Sequence, residues 1–146
     1  LHANNAYQAL DRIINFFPED AHRQLFMDLS MNLKAVISQR LVTGIDGKRL
    51  PAVEIMLLSP YISDLILNGE IDKLREVMEH SIEQGMQTFD QSLFRLYKEG
   101  RISREEALRN ADSHNNLSLR IRLSEGANIE ETGDLQVDGG NPKKRR

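Results

Sequence analysis

His2 combines a residue type and a position suited to meeting an anion. It stands in Leu1-His2-Ala3-Asn4-Asn5, directly ahead of a helix start. Free N–H groups and the positive end of the helix dipole favour negative charge there, so an imidazole beside them can touch a phosphate. Read without such a partner, the same residue is a frayed terminal side chain. His22, His80 and His114 are isolated, and no H-x-x-x-H, H-E-x-x-H or clustered Asp/His/Glu set offers metal-ligand spacing. They read as solvated helix-face residues. Ser30 and Ser38 lack the G-x-S-x-G elbow of a nucleophilic serine, and Asp112 with His114 reads as a loop pair rather than a dyad. Neither G-x-x-x-x-G-K-S/T nor G-x-G-x-x-G occurs, so the chain holds no phosphate-cradling loop of either kind. Glu70, Asp72, Glu76, Glu79 and Glu83 read as a solvated helix face. Lys143-Lys144-Arg145-Arg146 reads as a solubilising end in preference to a weak lipid-binding one.

Composition narrows the function classes further. The 146 residues suit one domain or part of a larger one, and 40% apolar residues can supply a core. A net charge of -3 gives no bulk electrostatic drive toward nucleic acid. The absence of cysteine excludes a disulfide scaffold, a zinc finger and a thiol nucleophile. No run approaches the roughly 18–20 apolar residues of a membrane span. The chain opens at Leu1 inside a motif-like string, which leads to the expectation that an N-terminal portion precedes it.

The elements that would position these residues follow from periodicity. Asn4 and Asn5 suit an N-cap, and Ala6, Ala9, Leu10, Ile13, Ile14 and Phe17 recur at helical spacing. Pro18 breaks that helix and suits the first turn of a second one, which carries Leu25, Phe26, Leu29 and Leu33. The β-branched run from Ala35 to Val42, the turn Ile45-Asp46-Gly47-Lys48 and the apolar run Ala52 to Leu58 predict an antiparallel hairpin. One hairpin alone is marginal in water, so it needs helices or further strands upon it. Ser59 and Pro60 open a short helix, Tyr61 to Asn68, closed by Gly69. Ile71, Leu74, Met78 and Ile82 mark the next helix. Met86, Phe89, Leu93, Leu96 and Tyr97 form an amphipathic stripe ended by Gly100. Ser103 and Glu106 fit a capping box. Leu117, Leu119, Ile121 and Leu123 alternate like a strand in a helical context, which leaves their conformation open. From Ser124 on, little remains to bury, and the segment reads as a disordered tail.

Several strings together resemble a known family. Leu1-His2-Ala3-Asn4-Asn5-Ala6 with Asp11-Arg12-Ile13-Ile14-Asn15-Phe16-Phe17-Pro18 resembles the end of the His box and the following helix of the type IV pilus retraction ATPases (PilT/PilU). These belong to the secretion-ATPase superfamily. Leu33 to Leu41 resembles the family's strand, and Gly85-Met86-Gln87-Thr88-Phe89-Asp90-Gln91-Ser92-Leu93 resembles its helix start. The order is collinear over about residues 1 to 123. Phe89, the run Leu93-Phe94-Arg95-Leu96-Tyr97 and the end Leu119-Arg120-Ile121-Arg122-Leu123 resemble the PilU branch. The four-cysteine motif of assembly and secretion relatives has no counterpart in Thr43-Gly44-Ile45-Asp46-Gly47-Lys48.

The resemblance implies an α/β fold, the C-terminal part of a RecA-like ATPase. Residues 1–58 would be the end of the RecA-like core, 59–123 a C-terminal helical region and 124–146 a disordered tail. It implies a parent that uses ATP and Mg as cofactors, with His2 near the γ-phosphate. The fragment itself, lacking Walker A and Walker B, is not expected to hydrolyse ATP. The implied setting is cytoplasmic, peripheral to the inner membrane at the pilus base. Implied partners are further copies in a hexameric ring, a PilT-like motor and the inner-membrane platform protein of the pilus, with no nucleic acid. Ile62, Ser63, Asp64, Leu65, Ile66 and Leu67 fall on the family's motor helix. Retraction motors carry arginines at the Ser63 and Leu67 positions and asparagine at the Asp64 position, so the resemblance implies an accessory motor. The alternative is an interaction or oligomerisation module of a pilus-assembly or type II secretion ATPase.

Overall fold

The computed structural model describes residues 4–132, with side chains described to residue 126. Helix α1 (Ala6–Asn15) starts where Asn5 accepts the Gln8 amide at 2.9 Å, which satisfies one of the free N–H groups of the first turn. Pro18 opens a single 3-10 turn, Glu19–Ala21, and α2 (His22–Asn32) continues from it. The predicted hairpin forms from β1 (Ala35–Thr43) and β2 (Arg49–Leu57), paired antiparallel from Ala35 opposite Leu57 to Thr43 opposite Arg49. Gly47 takes φ 78 in the turn, a left-handed conformation that a Cβ disfavours.

Four further helices and a long last one follow. Ser59 caps α3 (Pro60–Leu67), with Pro60 in the first turn. Gly69 ends it at φ 71, and a Cβ there would come within 3.2 Å of the Phe26 ring. The next helix is shorter than its apolar spacing predicts. A 3-10 turn, Ile71–Lys73, leads into α4 (Leu74–Glu79), and Ile82 lies outside it with its side chain exposed. Then come α5 (Phe89–Lys98), α6 (Arg104–Arg109) and α7 (His114–Thr132). The alternating Leu117 to Leu123 segment is helical. Leu117 and Ile121 are buried one turn apart, whereas Leu119 and Leu123 face solvent. The helix passes the expected boundary at Ser124 and reaches Thr132. Glu125 accepts the Tyr97 hydroxyl at 2.5 Å, so the chain is still docked there. Residues 133–146, including the basic Lys143 to Arg146, lie outside the described residues.

Two apolar clusters share the hairpin. One joins α1, α3, α4 and Met86 to Met56 of β2. The other joins α5, α6 and α7 to Val42 and Ala52. The predicted stripe on α5 is therefore divided: Met86 precedes the helix and packs in the first cluster, while Phe89, Leu93 and Leu96 pack in the second. Among the described residues, helices cover only the face of the hairpin that carries Val42, Ala52 and Met56. On the other face Ile37 is 70% exposed and Leu41 51%.

The segment before α5 fastens these parts. Gln87 forms a bridge with Ile55 through two backbone hydrogen bonds, 2.8 and 2.9 Å, and its side chain donates to the Val53 carbonyl at 2.6 Å. Thr88 and Gln91 form a reciprocal capping box, and the Ser92 hydroxyl accepts the Val53 amide at 3.1 Å. Thr88→Ala is expected to cost about 0.5–2 kcal/mol, read as a lower urea midpoint with unchanged m-value. An unchanged midpoint would mean that the Gln87 bridge alone fixes the start of α5.

Candidate functional site

The motor-helix positions are set by what α3 packs against. Ile62, Leu65 and Ile66 are buried, at about 1.5–3 kcal/mol for each such side chain. Asp64 is exposed and Leu67 is 46% exposed. Ser63 is held by a neighbouring helix. It is half-buried, and its hydroxyl donates to the Ser30 carbonyl in α2 at 2.7 Å. Three of the six residues hold α3 down, Ser63 fastens it sideways to α2, and only Asp64 and Leu67 present to solvent. His2 lies outside the described residues.

A second constellation gathers around the start of α1. Glu54 projects from β2 on the same face as Ala52 and Met56, is 4% exposed, and accepts the Ala6 amide at 2.7 Å. Burial pushes its carboxyl above the usual range; the Ala6 hydrogen bond opposes this, and the Asp112 charge adds to it. On the neighbouring strand, Arg40 donates to Asp112 at 2.5 Å and to the carbonyls of Asn4 and Asn110, each at 2.8 Å. Its guanidinium lies 4.0 Å from the Phe89 ring centroid. Asp90, in the first turn of α5, accepts the amides of Asp112 and Ser113 at 2.7 and 3.0 Å and pairs with Arg75 at 2.8 Å. Asp112 is thus engaged by Arg40 and not by His114.

Glu106 corrects the predicted capping box in half. Ser103 accepts the Glu106 amide at 3.1 Å as expected. The Glu106 carboxylate turns instead to the Thr43 amide at 2.7 Å, and Arg109 also pairs with it. Sequence reading missed the roles of Arg40, Glu54 and Asp90, and for Glu106 it named the cap but not the Thr43 amide. Glu54 carried a usable signal: with a period of two, it falls on the same strand face as Ala52 and Met56, where a charge is out of place. Of the described histidines, His80 and His114 are exposed, whereas His22 is half-buried beside the Phe26 ring. His22 contacts the Phe17 carbonyl and His80 the Glu76 carbonyl. Among the described residues, no group of three His, Asp or Glu could hold a metal ion.

No family model matches the chain. Its fold matches the crystal structure of the pilus retraction motor PilT with bound ADP, at TM-score 0.72 and 32% identity. That match takes in 81% of this chain and 33% of that one. In sequence it is 52% identical over 136 residues to the type IV pilus ATPase PilU of Pseudomonas aeruginosa, covering 92% of this chain and 36% of the relative. The type IV pilus retraction ATPase PilT of the same organism is 36% identical over 107 residues, which is 73% of this chain and 31% of the relative. The fold is thus that of the C-terminal part of a pilus motor ATPase. The chain belongs to the PilT/PilU family of type IV pilus ATPases. It spans about a third of the length of these relatives.

Two predictions follow from the geometry. Ser63→Arg loses the bond to Ser30, about 0.5–1.5 kcal/mol, whereas Leu67→Arg should stay within about 0.5 kcal/mol of the parent. Thermal melts of the two variants check this; equal melting temperatures would show that Ser63 does not anchor α3. For Glu54, the folded chain keeps its proton at pH values where the unfolded chain has released it. The stability tied to that proton is fully present below the ordinary carboxylate pKa. It is lost as pH rises through the raised folded value. Glu54→Gln keeps an acceptor for Ala6 but cannot ionise. Its urea midpoint relative to the parent should therefore be higher at pH 7 than at pH 4, and a pH-independent difference would show that Glu54 titrates normally.

Proposed function

We propose that the chain is the C-terminal part of a PilU-like twitching-motility ATPase, an accessory motor that couples ATP hydrolysis to type IV pilus retraction. The observation that carries this reading is the 52% identity to PilU across 92% of the chain, against 36% to PilT. The helix α3 supports the accessory role. The cations that the resemblance places on a retraction motor are replaced by Ser63, bonded to α2, and by the neutral Leu67. Residues 1–58 would then close the RecA-like core, and 59–123 would form the C-terminal helical region. Partners would be copies of itself in a hexameric ring, a PilT-like motor and the pilus platform protein at the cytoplasmic side of the inner membrane. Among the described residues, no helix is long and apolar enough to cross a membrane.

ATP and Mg do not fit the residues of this chain. Its sequence has no Walker A loop, and the buried carboxylates Glu54, Asp90 and Glu106 are committed to backbone amides. The nucleotide chemistry would belong to the two thirds of the family's length that the chain does not span. His2 is the residue that would reach toward it.

The test is pilus retraction in cells. The full-length protein should give no twitching in a strain without PilT and should increase retraction force when PilT is present. Retraction without PilT would sink the accessory reading. The 146-residue chain alone should neither hydrolyse ATP nor bind it; micromolar binding in calorimetry would overturn the assignment of the nucleotide site to the rest of the protein.

A further inference from the structure

The two edges of the hairpin are finished differently. On β2 the outward backbone groups are engaged. Ile55 exchanges two hydrogen bonds with Gln87, and Val53 donates to Ser92 and accepts from the Gln87 side chain. On β1 the alternation can be read from its two ends. The Leu58 amide donates to the Lys34 carbonyl at 3.0 Å, and the Gly44 amide donates to the Lys48 carbonyl at 2.7 Å. Antiparallel pairs alternate, so the even-numbered backbone groups of β1 face β2 and the odd-numbered ones face away from the hairpin. Thr43 is one of the latter, and Glu106 takes its amide. Among the described residues, no hydrogen bond from outside the hairpin reaches the backbone of Ile37, Gln39 or Leu41.

The side chains at these positions are free as well. Ile37 is 70% exposed, Leu41 is 51% exposed, and Gln39 is exposed. Edge strands are commonly guarded by a charge, a proline or a bulge. The pairing of β1 runs from Ala35 to Thr43 without a bulge, and the strand has no proline. Its one charged residue, Arg40, lies on the helix-covered face and is bound to Asp112 and two carbonyls.

We propose that the open edge of β1 is the interface of a two-fold dimer of this chain: two copies of β1 pair antiparallel about Gln39, and the two hairpins join into one four-stranded sheet. The register is self-complementary. With Gln39 opposite Gln39, Ile37 of each copy meets Leu41 of the other. All three positions present outward N–H and C=O groups, so each meeting pair exchanges two hydrogen bonds. The apolar side chains meet across the strands, and on the other face Arg40 falls opposite Ser38, so no like charges stand directly opposite. A two-fold contact uses the same surface on both copies and closes at the dimer. The inference concerns the 146-residue chain and rests on neither the ATPase reading nor the ring.

The experiment uses the 146-residue chain, with sedimentation velocity over a concentration series and amide exchange followed by NMR at its two ends. Expected is a monomer–dimer equilibrium. The amides of Ile37, Gln39 and Leu41 gain protection on the order of tenfold or more as the dimer forms, while those of Val36, Ser38 and Arg40 are protected throughout. Gln39→Lys sets two cations opposite each other at the two-fold centre, and Gln39→Glu sets two anions. Each is expected to weaken the dimer on the order of tenfold or more. The melting temperature of dilute samples should stay unchanged, because position 39 is exposed in the monomer. An equal mixture of the two variants should restore the dimer, since each cation then meets an anion. A chain that stays monomeric with the three amides unprotected overturns the proposal. Protection that does not vary with concentration overturns it too, because a segment of the same chain would then cover the edge. A dimer that survives both substitutions places the contact elsewhere, and a mixture that fails to restore it excludes the two-fold register.

Discussion

One strand face has to serve two cores and a charge at once. Ala52 packs with α5, α6 and α7, Met56 packs with α1, α3 and α4, and Glu54 stands between them on the same side of β2. Desolvating a carboxylate at such a seam costs several kcal/mol unless a donor meets it. The donor is the first amide of α1, one of the N–H groups that a helix cannot satisfy internally. The bond gives the strand's carboxylate a donor and the helix's first amide an acceptor, although burial still outweighs it and keeps the Glu54 carboxyl raised. The direction of α1 follows from that bond, as does the position of everything packed on α1.

The other edge of β2 is closed by side chains and a single bridge in place of a third strand. Gln87 supplies a two-bond bridge and a side-chain donor, and Ser92 supplies an acceptor one helical turn later. The string Gly85 to Leu93, which carries the family resemblance most compactly, is in this structure a fastening device. Gly85 turns the chain at φ 87, Met86 enters one core, Gln87 and Ser92 hold β2, Thr88 and Gln91 cap α5, Phe89 enters the other core, and Asp90 holds the start of α7. A motif that identifies an ATPase family here works by joining elements.

The local architecture was legible because each element carried its own punctuation. Asn5, Ser59 and Ser103 cap where a hydroxyl or amide side chain precedes an apolar period, and Gly47 and Gly69 turn where only a residue without Cβ is comfortable. Two kinds of feature were not legible. The first is periodicity shared between elements: Met86 looks like part of the α5 stripe but serves the opposite core, and Leu117 to Leu123 alternate because a helix shows two faces to different surroundings. The second is long-range pairing. Glu106 has the spacing of a capping box, yet its carboxylate finds the Thr43 amide 63 positions away in sequence. The Ser63 hydroxyl likewise finds its partner, the Ser30 carbonyl, on another helix. Spacing along one element cannot report a partner on another.

Those long-range partners follow one pattern. Glu54, Asp90 and Glu106 are buried, and each accepts a backbone amide from a different element: the start of α1, the start of α7 and the end of β1. Apolar contacts would tolerate a sliding of helix over strand with little change in buried area, since the hydrophobic effect is non-directional. A carboxylate on a single N–H does not, because the bond weakens steeply with distance and angle, and a slipped buried charge is left unsatisfied. The two clusters supply most of the burial, and the three carboxylates fix the register in which it occurs. On the retraction-motor reading this division has a mechanical sense. A motor part can transmit displacement only if its elements move without slipping, and directional bonds between elements oppose that slip.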